Sequence, residues 1–331
     1  MRSTFVLLSF FILSACDLRS NPIDSMFDTY IERIANVQDE PPLPLEANQN
    51  IILPPKRELY TDVAPITLGL LDSYELRKCD LFNLIADKNS SLGKVQDPFR
   101  NFDYQVNVIE GLNLCLQSQD ISSVLKAQLT PILMQKMEQL PIHFSNLVFT
   151  SEAMRAQLSG YNWVDEDIKV IPSTLKGALE TLEMYAESLS STSQNLSFST
   201  LVSIQETLNK QTVLGRLNYS LVNATHKLKT TTSQLNANDQ NIVCAKGRDK
   251  TRFNILRNVF QSYYVDKLQP YLANLDSQYL NIEPFLTFTE TTHPIYTYPI
   301  RDNHANFRGA IQQHVGYWKT LFERCGAAPS R

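Results

Sequence analysis

Leu214-Gly215-Arg216-Leu217-Asn218-Tyr219-Ser220-Leu221-Val222-Asn223-Ala224-Thr225-His226-Lys227-Leu228 decides the fold class. Leu214, Leu217, Leu221, Ala224 and Leu228 fall on heptad positions, Leu235 continues the series, and Thr231 stays in register. Apolar residues at this spacing form one stripe along a helix. The polar positions are mostly Asn, Ser and Thr, without the e/g charges a free zipper uses to choose partners. The segment 198–236 therefore reads as a helix packed antiparallel inside a bundle.

Working outward, the same period recurs. Residues 21–37 carry Ile23, Met26, Phe27, Tyr30, Ile31 and Ile34 on one face, with Asp24, Asp28 and Glu32 opposite. Further helices are expected over 68–88, 101–118, 121–139, 143–158 and 173–190, with Pro131 and Pro141 limiting or kinking two of them. A long helix from Ile242 to Gln269 should lie beside 198–236, through Phe253, Leu256, Val259, Phe260 and Tyr263, and Pro270 should end or bend it. A last helix covers 303–323. With 10 glycines in 331 residues the chain favours helices, and the expectation is an irregular all-α multi-helix bundle with long antiparallel helices.

Two stretches break the pattern. Pro41, Pro42, Pro44, Pro54 and Pro55 make 39–58 extended, either a spacer or a strap. Ile51, Ile52 and Leu53 favour the strap, because a free spacer has no use for exposed apolar residues. Near the C-terminus, Pro284, Pro294 and Pro299 interrupt a Tyr-, Thr- and Phe-rich run over 276–303. This reads as an ordered aromatic loop, with Leu286-Thr287-Phe288-Thr289 alternating like a short strand. Trp163, in the break between 160 and 172, is expected to anchor in the body.

Arg2 and an apolar run from Phe5 to Leu13 precede Leu13-Ser14-Ala15-Cys16. The run is of signal-peptide length, too short for a spanning helix of roughly 20 residues. The four residues resemble a bacterial lipobox. The resemblance implies that residues 1–15 are a signal peptide, cut before a Cys16 that carries a diacylglyceryl group and an acylated N-terminus. The mature chain, 16–331, would then be a single helical domain facing the periplasm. Asp17, next to the lipid, implies by the same resemblance retention in the inner membrane rather than the outer.

Four cysteines remain: Cys79, Cys115, Cys244 and Cys325. An even number in an oxidising compartment suggests two disulfides. Of three pairings, Cys79–Cys115 and Cys244–Cys325 are favoured, since the first pair lies on neighbouring helices and the second would tie the C-terminal helix to the start of another. A formal net charge of −4 makes nucleic acid a poor partner.

No nucleophile elbow, zinc helix or phosphate loop occurs, so no catalytic residue, metal or cofactor is assigned. Three patches carry polar groups. Glu75, Arg77, Asp87 and Asn89 would line a polar site or simply solvate a helix. Lys246, Arg248, Lys250 and Arg252, with Arg257, would put cations one turn apart at a helix start, suited to anionic headgroups or to solvent. Tyr296, Tyr298, Arg301, His304 and Arg308, with Tyr279, Phe285, Phe288 and His293 nearby, form a candidate binding surface for a sugar or a protein, or else a core beneath a loop. His304 and Arg308 share a face at i, i+4, as do His314 and Trp318.

The stretch Gly69–Lys94, the lipobox, and Tyr30-Ile31-Glu32-Arg33-Ile34-Ala35 followed by prolines resemble a family of Gram-negative lipoproteins catalogued as domain of unknown function 3080. That resemblance implies export and lipidation and supplies no activity. The expected function is a non-enzymatic interaction protein of the cell envelope, anchored through Cys16 and meeting an envelope protein or glycan. The alternatives are an envelope hydrolase acting on glycan or lipid, with Glu290 or Asp302 as available carboxylates, and an apolar-ligand-binding lipoprotein.

Overall fold

The computed structural model describes residues 21–66, 74–190, 200–245 and 247–327. The lipobox with Cys16 and Asp17, the start of the expected 68–88 helix, and Lys246 lie outside the described residues. In chain order the helices are α1 (Pro22–Gln38), α2 (Lys56–Leu59), α3 (Leu81–Asn89), α4 (Pro98–Gln117), α5 (Ser123–Thr150), α6 (Glu152–Leu158) and α7 (Ser173–Ser190). They continue with α8 (Val202–Lys210), α9 (Val213–Ala237), α10 (Thr251–Val259), α11 (Gln269–Ile282), α12 (Phe288–Thr291) and α13 (Ile300–Cys325). No strand occurs among the described residues, so the fold is all-α.

Four rods make the centre: α1, α9, α13 and the continuous helix formed by α10, Phe260–Leu268 and α11. The segment Phe260–Leu268 is π-wound, and at its end Gln269 N–H bonds Tyr264 O, five residues back. The ladder is thus already displaced where Pro270 withholds its donor, and the rod runs on to Ile282. The expected helix starts later than Ile242, at Thr251, so Arg248 and Lys250 precede it rather than sharing its first turn.

The packing partners also differ from expectation. α9 lies against α13, not chiefly against the 251–282 rod. Asn218 meets Asn303, Thr232 meets His314, and Asp239 meets Tyr317, so the two helices run parallel. A short loop forces neighbours to be antiparallel. Here the intervening 251–282 rod makes the return trip, leaving α9 and α13 free to point the same way. The rod itself is antiparallel to α13, with Phe253 on Phe322 and Tyr264 on His314. α4 and α5 are antiparallel as expected, with Asn101 beside His143 and Gln105 beside Lys136.

His314 is where the four rods meet. Its Nε2 lies 2.9 Å from Tyr30 Oη of α1 and accepts from Trp318 Nε1 at 3.0 Å. An indole only donates, so Nε2 is unprotonated and Nδ1 carries the hydrogen. Nδ1–H then donates to Thr232 Oγ1 at 2.9 Å, and that hydroxyl donates to Leu228 O. The Tyr264 ring of the rod lies 4.6 Å from the imidazole centroid. Burial pushes the His314 pKa down to about 3, and the Tyr30 phenol is pushed up by the same cause.

A second hub is Trp163. Its ring contacts Phe27, Tyr219 and Tyr271, and its Nε1 donates to Asp24 Oδ2 at 3.1 Å. Asp24 also receives the buried Lys227 ammonium at 3.1 Å and the Asn48 amide. The residue expected to anchor the 160–172 break does so by joining α1, α9 and α11.

The proline-rich stretch is laid across the bundle. Asn223 of α9 clips Gln49 from both sides, accepting its N–H and donating to its carbonyl, and Asn146 of α5 does the same to Thr61. Ile51 and Gly160 exchange both backbone bonds, and Leu53 is buried. Gly160 in turn sits on Gly215: a Cβ at Gly215 would stand 1.8 Å from Ser159 O.

Elsewhere three expectations change. The 121–139 and 143–158 helices merge into α5, which runs through Pro131 and Pro141 and ends at Ser151. Leu140, Phe144, Leu147 and Val148 bury one side of it, and that packing outweighs two lost backbone bonds. The 68–88 helix is broken at Asp80, whose φ is 60°, as the chain turns from Cys79 into α3. The 276–303 stretch is helical through Ile282 and again in α12, with no strand. Thr291 and Thr292 bond back to the carbonyls four residues earlier, which holds β-branched residues in helical turns.

Both favoured disulfides are present, Cys79–Cys115 and Cys244–Cys325. The first staples a small core of its own, in which Leu76, Leu81, Leu112, Ile121 and Leu125 pack at the α4–α5 turn.

Gly215→Ala should destabilise the protein by about 1–3 kcal/mol, since a backbone must move to admit the methyl group. Gly309→Ala in α13, where a Cβ meets nothing within 4 Å, should be stabilising by about 0.5–1 kcal/mol. Urea unfolding of the two variants tests the contrast. The pH dependence has a definite sign. The folded state keeps His314 neutral to about pH 3, and His143, desolvated and beside Lys136 and Lys88, to about pH 4. The unfolded chain takes up these protons near pH 6.5, so it binds more protons below that value. Stability should therefore fall as pH drops from 6.5, with up to about 1.4 kcal/mol per pH unit from His314 alone. Denaturant midpoints between pH 7 and 5 measure it, and His143→Gln should flatten the slope.

Candidate functional site

α1 and the 251–282 rod run antiparallel, Tyr30 against Tyr264 and Asp39 against Arg252. Toward the C-terminal end of α1 they leave an open groove of about 560 Å³. α1 ends there because Asp39 takes a left-handed turn, φ 63°, and its N–H caps the last carbonyls. Arg33, Asn36 and Asp39 line one wall; Arg252, Asn258 and Tyr263 line the other. The Tyr263 ring has Arg33 Cζ 6.0 Å and Lys267 Nζ 5.1 Å from its centroid. Ile255, 47% exposed, adds an apolar surface. Arg252 and Asp39 pair at 3.4 Å, both in water, a contact weak enough to open. The groove combines two guanidiniums, an aromatic ring and neutral amides with one carboxylate.

Two signals for this site were in the sequence. Arg33 and Tyr30 belong to the early helix, and Arg252 belongs to the basic cluster. What was missing was the pairing of the two helices. The basic cluster itself disperses: Lys250 caps the carbonyl of Cys325, and Arg252 turns to Asp39.

The aromatic patch does not form one exposed surface. Tyr298 is buried, and its hydroxyl donates to Leu158 O at 2.8 Å. His304 is buried as well, stacked on Tyr279 at 3.8 Å and 2.7 Å from Asp276 Oδ1. Burial pushes the Tyr279 phenol up to about 12. Tyr296 is half-buried, edge-on to Phe149. Arg301 is exposed but held by Glu290 at 2.8 Å and Glu283 at 3.0 Å. Arg308 is exposed and shares Asp276 with His304. Tyr279, Phe288 and Tyr298 are core, Tyr296 is half-buried, and the arginines reach solvent.

Asp276 and Arg308 border a smaller depression of about 300 Å³ with Tyr264 and Gln269. A carboxylate beside a histidine is half of a nucleophile-activating set. Among the described residues no hydroxyl or thiol hydrogen-bonds His304, and Asp276 divides its charge between two cations or donors. Among the described residues no three His, Cys, Asp or Glu side chains gather to hold a metal ion. In the first patch, Glu75 accepts from Ser122 at the start of α5, and Arg77 lies over Tyr74 and Phe82. These are contacts that close the small core.

Fold and site together define a disulfide-linked, all-α bundle with an open cationic groove. The chain belongs to the family described as protein of unknown function (DUF3080), whose profile matches residues 27–329. No curated protein and no solved structure matches it.

Asp276→Ala should cost about 1–3 kcal/mol, since it strips a buried imidazole of its partner. Arg308→Ala, on the exposed side of the same carboxylate, should change stability by less than about 1 kcal/mol. Thermal unfolding of the two variants distinguishes a structural histidine from an idle one.

Proposed function

We propose that the protein is a lipid-anchored component of the cell envelope that works by binding, and that its groove holds an acidic segment of another envelope protein. The observation that carries this reading is the groove's charge. Among the described lining residues Arg33 and Arg252 face only Asp39 in opposition, and Arg248, Lys250 and Arg257 lie within five residues of Arg252 along the chain. Positive potential over an open cleft recruits a negative partner and speeds its arrival.

The anchor would be Cys16, with the body in the periplasm and Asp17 favouring the inner membrane. Two disulfides agree with an exported protein. α1 begins at Pro22, so the intervening residues reach at most roughly 20 Å from the lipid. The groove lies toward the other end of α1, about 16–25 Å further along at 1.5 Å per residue. The length of α1 thus separates the groove from the anchored end and leaves it open to a partner. A lining in which Arg33, Arg252 and Asn258 stand beside Ile255 and the Tyr263 ring suits a charged protein segment better than a purely apolar ligand. Of the carboxylates open to the hydrolase alternative, Glu290 is held by Arg301, and the one carboxylate–histidine pair, Asp276 with His304, is engaged with Arg308.

Fatty-acid labelling should disappear in Cys16→Ser, and fractionation should place the wild-type protein in the inner membrane. For the groove, a fluorescent oligoglutamate peptide is titrated against the full chain and followed by anisotropy. Arg33→Glu with Arg252→Glu should weaken binding about tenfold or more, the loss of two charge-assisted contacts. Arg301→Glu, outside the groove, should leave it unchanged. Equal binding by all three proteins would reject the groove as the site. Tighter binding of an acidic glycan than of the peptide would reject the protein segment as occupant.

A further inference from the structure

Far from the groove, where α3, α4 and α5 meet, two ammonium groups sit without a counter-charge. Lys88 Nζ donates to the side-chain carbonyls of Gln96 and Asn101, each at 2.9 Å. Lys136 Nζ donates to Gln105 Oε1 at 2.7 Å. Asn101 and Gln105 are one turn apart on α4, so the two lysines converge on one face of it. Neither lysine forms an ion pair among the described residues. Both are half-buried, and Tyr104 lies under Lys88 at 5.2 Å.

His143 completes the set. Asn101 gives its carbonyl oxygen to Lys88, so its amide N–H₂ faces His143 Nδ1, at 3.3 Å. Nδ1 is therefore the acceptor, and the ring proton resides on Nε2. Among the described residues the cluster thus keeps unspent donors: one N–H of Lys88, two of Lys136, and Nε2–H of His143. Half-burying two like charges with only amide dipoles for partners is unfavourable for the empty protein. Consistent with that, burial lowers the pKa of each lysine, and Lys88 lowers that of Lys136 further. A negative group placed among them would supply the missing counter-charge.

We infer that Lys88, Lys136 and His143 form a binding site for a phosphoryl group, held by the two ammonium groups and the imidazole N–H, with Asn101 and Gln105 setting their positions. A tetrahedral oxyanion offers several acceptors at once, which matches donors arriving from two helices, Lys88 from α3 and Lys136 and His143 from α5. The group would come from free phosphate or a phosphomonoester, or from the headgroup of a phospholipid.

The test is calorimetric titration of the full chain, in neutral detergent at pH 7 and constant ionic strength, with inorganic phosphate. Saturable binding is expected, weakened about tenfold or more in Lys136→Gln and in Lys88→Gln. Lys136→Arg should retain it. Without phosphate, Lys136→Gln should melt at or above the wild-type temperature, because it removes an uncompensated charge. A purely structural lysine would lower the melting temperature instead. Water-soluble dihexanoyl phosphatidylglycerol is the second arm, with the phosphatidylcholine analogue as control. Competition with phosphate by the glycerol lipid alone identifies a headgroup as the source; no competition identifies a free phosphate or phosphomonoester. The inference is overturned if wild type shows no saturable phosphate binding. It is equally overturned if both glutamine variants melt normally and bind phosphate as wild type does.

Discussion

The bundle depends on one neutral imidazole. His314 holds Tyr30 from α1, Thr232 from α9 and Trp318 from its own helix, with Tyr264 of the rod against its face. Each rod contributes one group, so the node fixes the rotation and the axial position of all four helices at once. Apolar packing alone tolerates small slides; a buried donor left unpaired by a slide does not. Protonating the ring would put a hydrogen on Nε2, where the Trp318 N–H already points. That is why burial holds the ring neutral and why the network has a single tautomer.

The parallel course of α9 and α13 follows from what lies between them. After α9 the chain enters the 251–282 rod, passes back along the bundle, and only then starts α13. The π-wound segment sits at the level of the node, where Phe260 stacks on Trp318 and on Tyr264. It lets the rod cross Pro270 without a break. Cys244–Cys325 joins the approach to the rod to the end of α13, close to where Lys250 caps the last carbonyl and Arg324 pairs with Asp239. In the chain-entropy picture a loop of that size is worth roughly 4 kcal/mol. The end of the bundle that carries the groove is thus fixed by a covalent bond as well as by packing.

Helix content was legible because the apolar period is strong in α1, α7, α9 and α13. Cys79–Cys115 was legible because the two cysteines lie on neighbouring helical segments; Cys244–Cys325 was favoured for a helix start at Ile242, and the pair forms although that helix starts at Thr251. Direction was not. The heptads of α9 mark which residues are buried, and say nothing of which helix covers them. The Asn, Ser and Thr positions looked like a mild polar face. In the structure Asn223 clips the strap, Ser220 accepts from Val164 N–H, Asn218 meets Asn303, and Thr225, Thr231 and Thr232 bond back to carbonyls. α9 is covered on nearly every side, and its polar residues are the ones that can be satisfied there. Pro131 and Pro141 do not limit α5, because burial of Phe144 and Leu147 outweighs the lost bonds, and the break comes at the capping Ser151.

The candidate site was half legible for the same reason. Arg252 stood out as part of a charge run and Arg33 did not, since one cation on a helix is ordinary. Their meeting needs α1 and the rod to be antiparallel, which only the long-range contact of Tyr30 with Tyr264 and His314 establishes. The aromatic run at 279–308 stood out most, and it proves to be core, with its histidine spent on Asp276. Dense aromatic residues mark area that must be buried; whether a partner or the protein's own helices bury it is decided by the turn of the backbone. Here Pro299 starts α13 directly, which draws Tyr298 and Ile300 inward and leaves Arg301 outside. The open groove lies where helices part, as α1 and the rod do at Tyr263, rather than where the sequence is richest in rings.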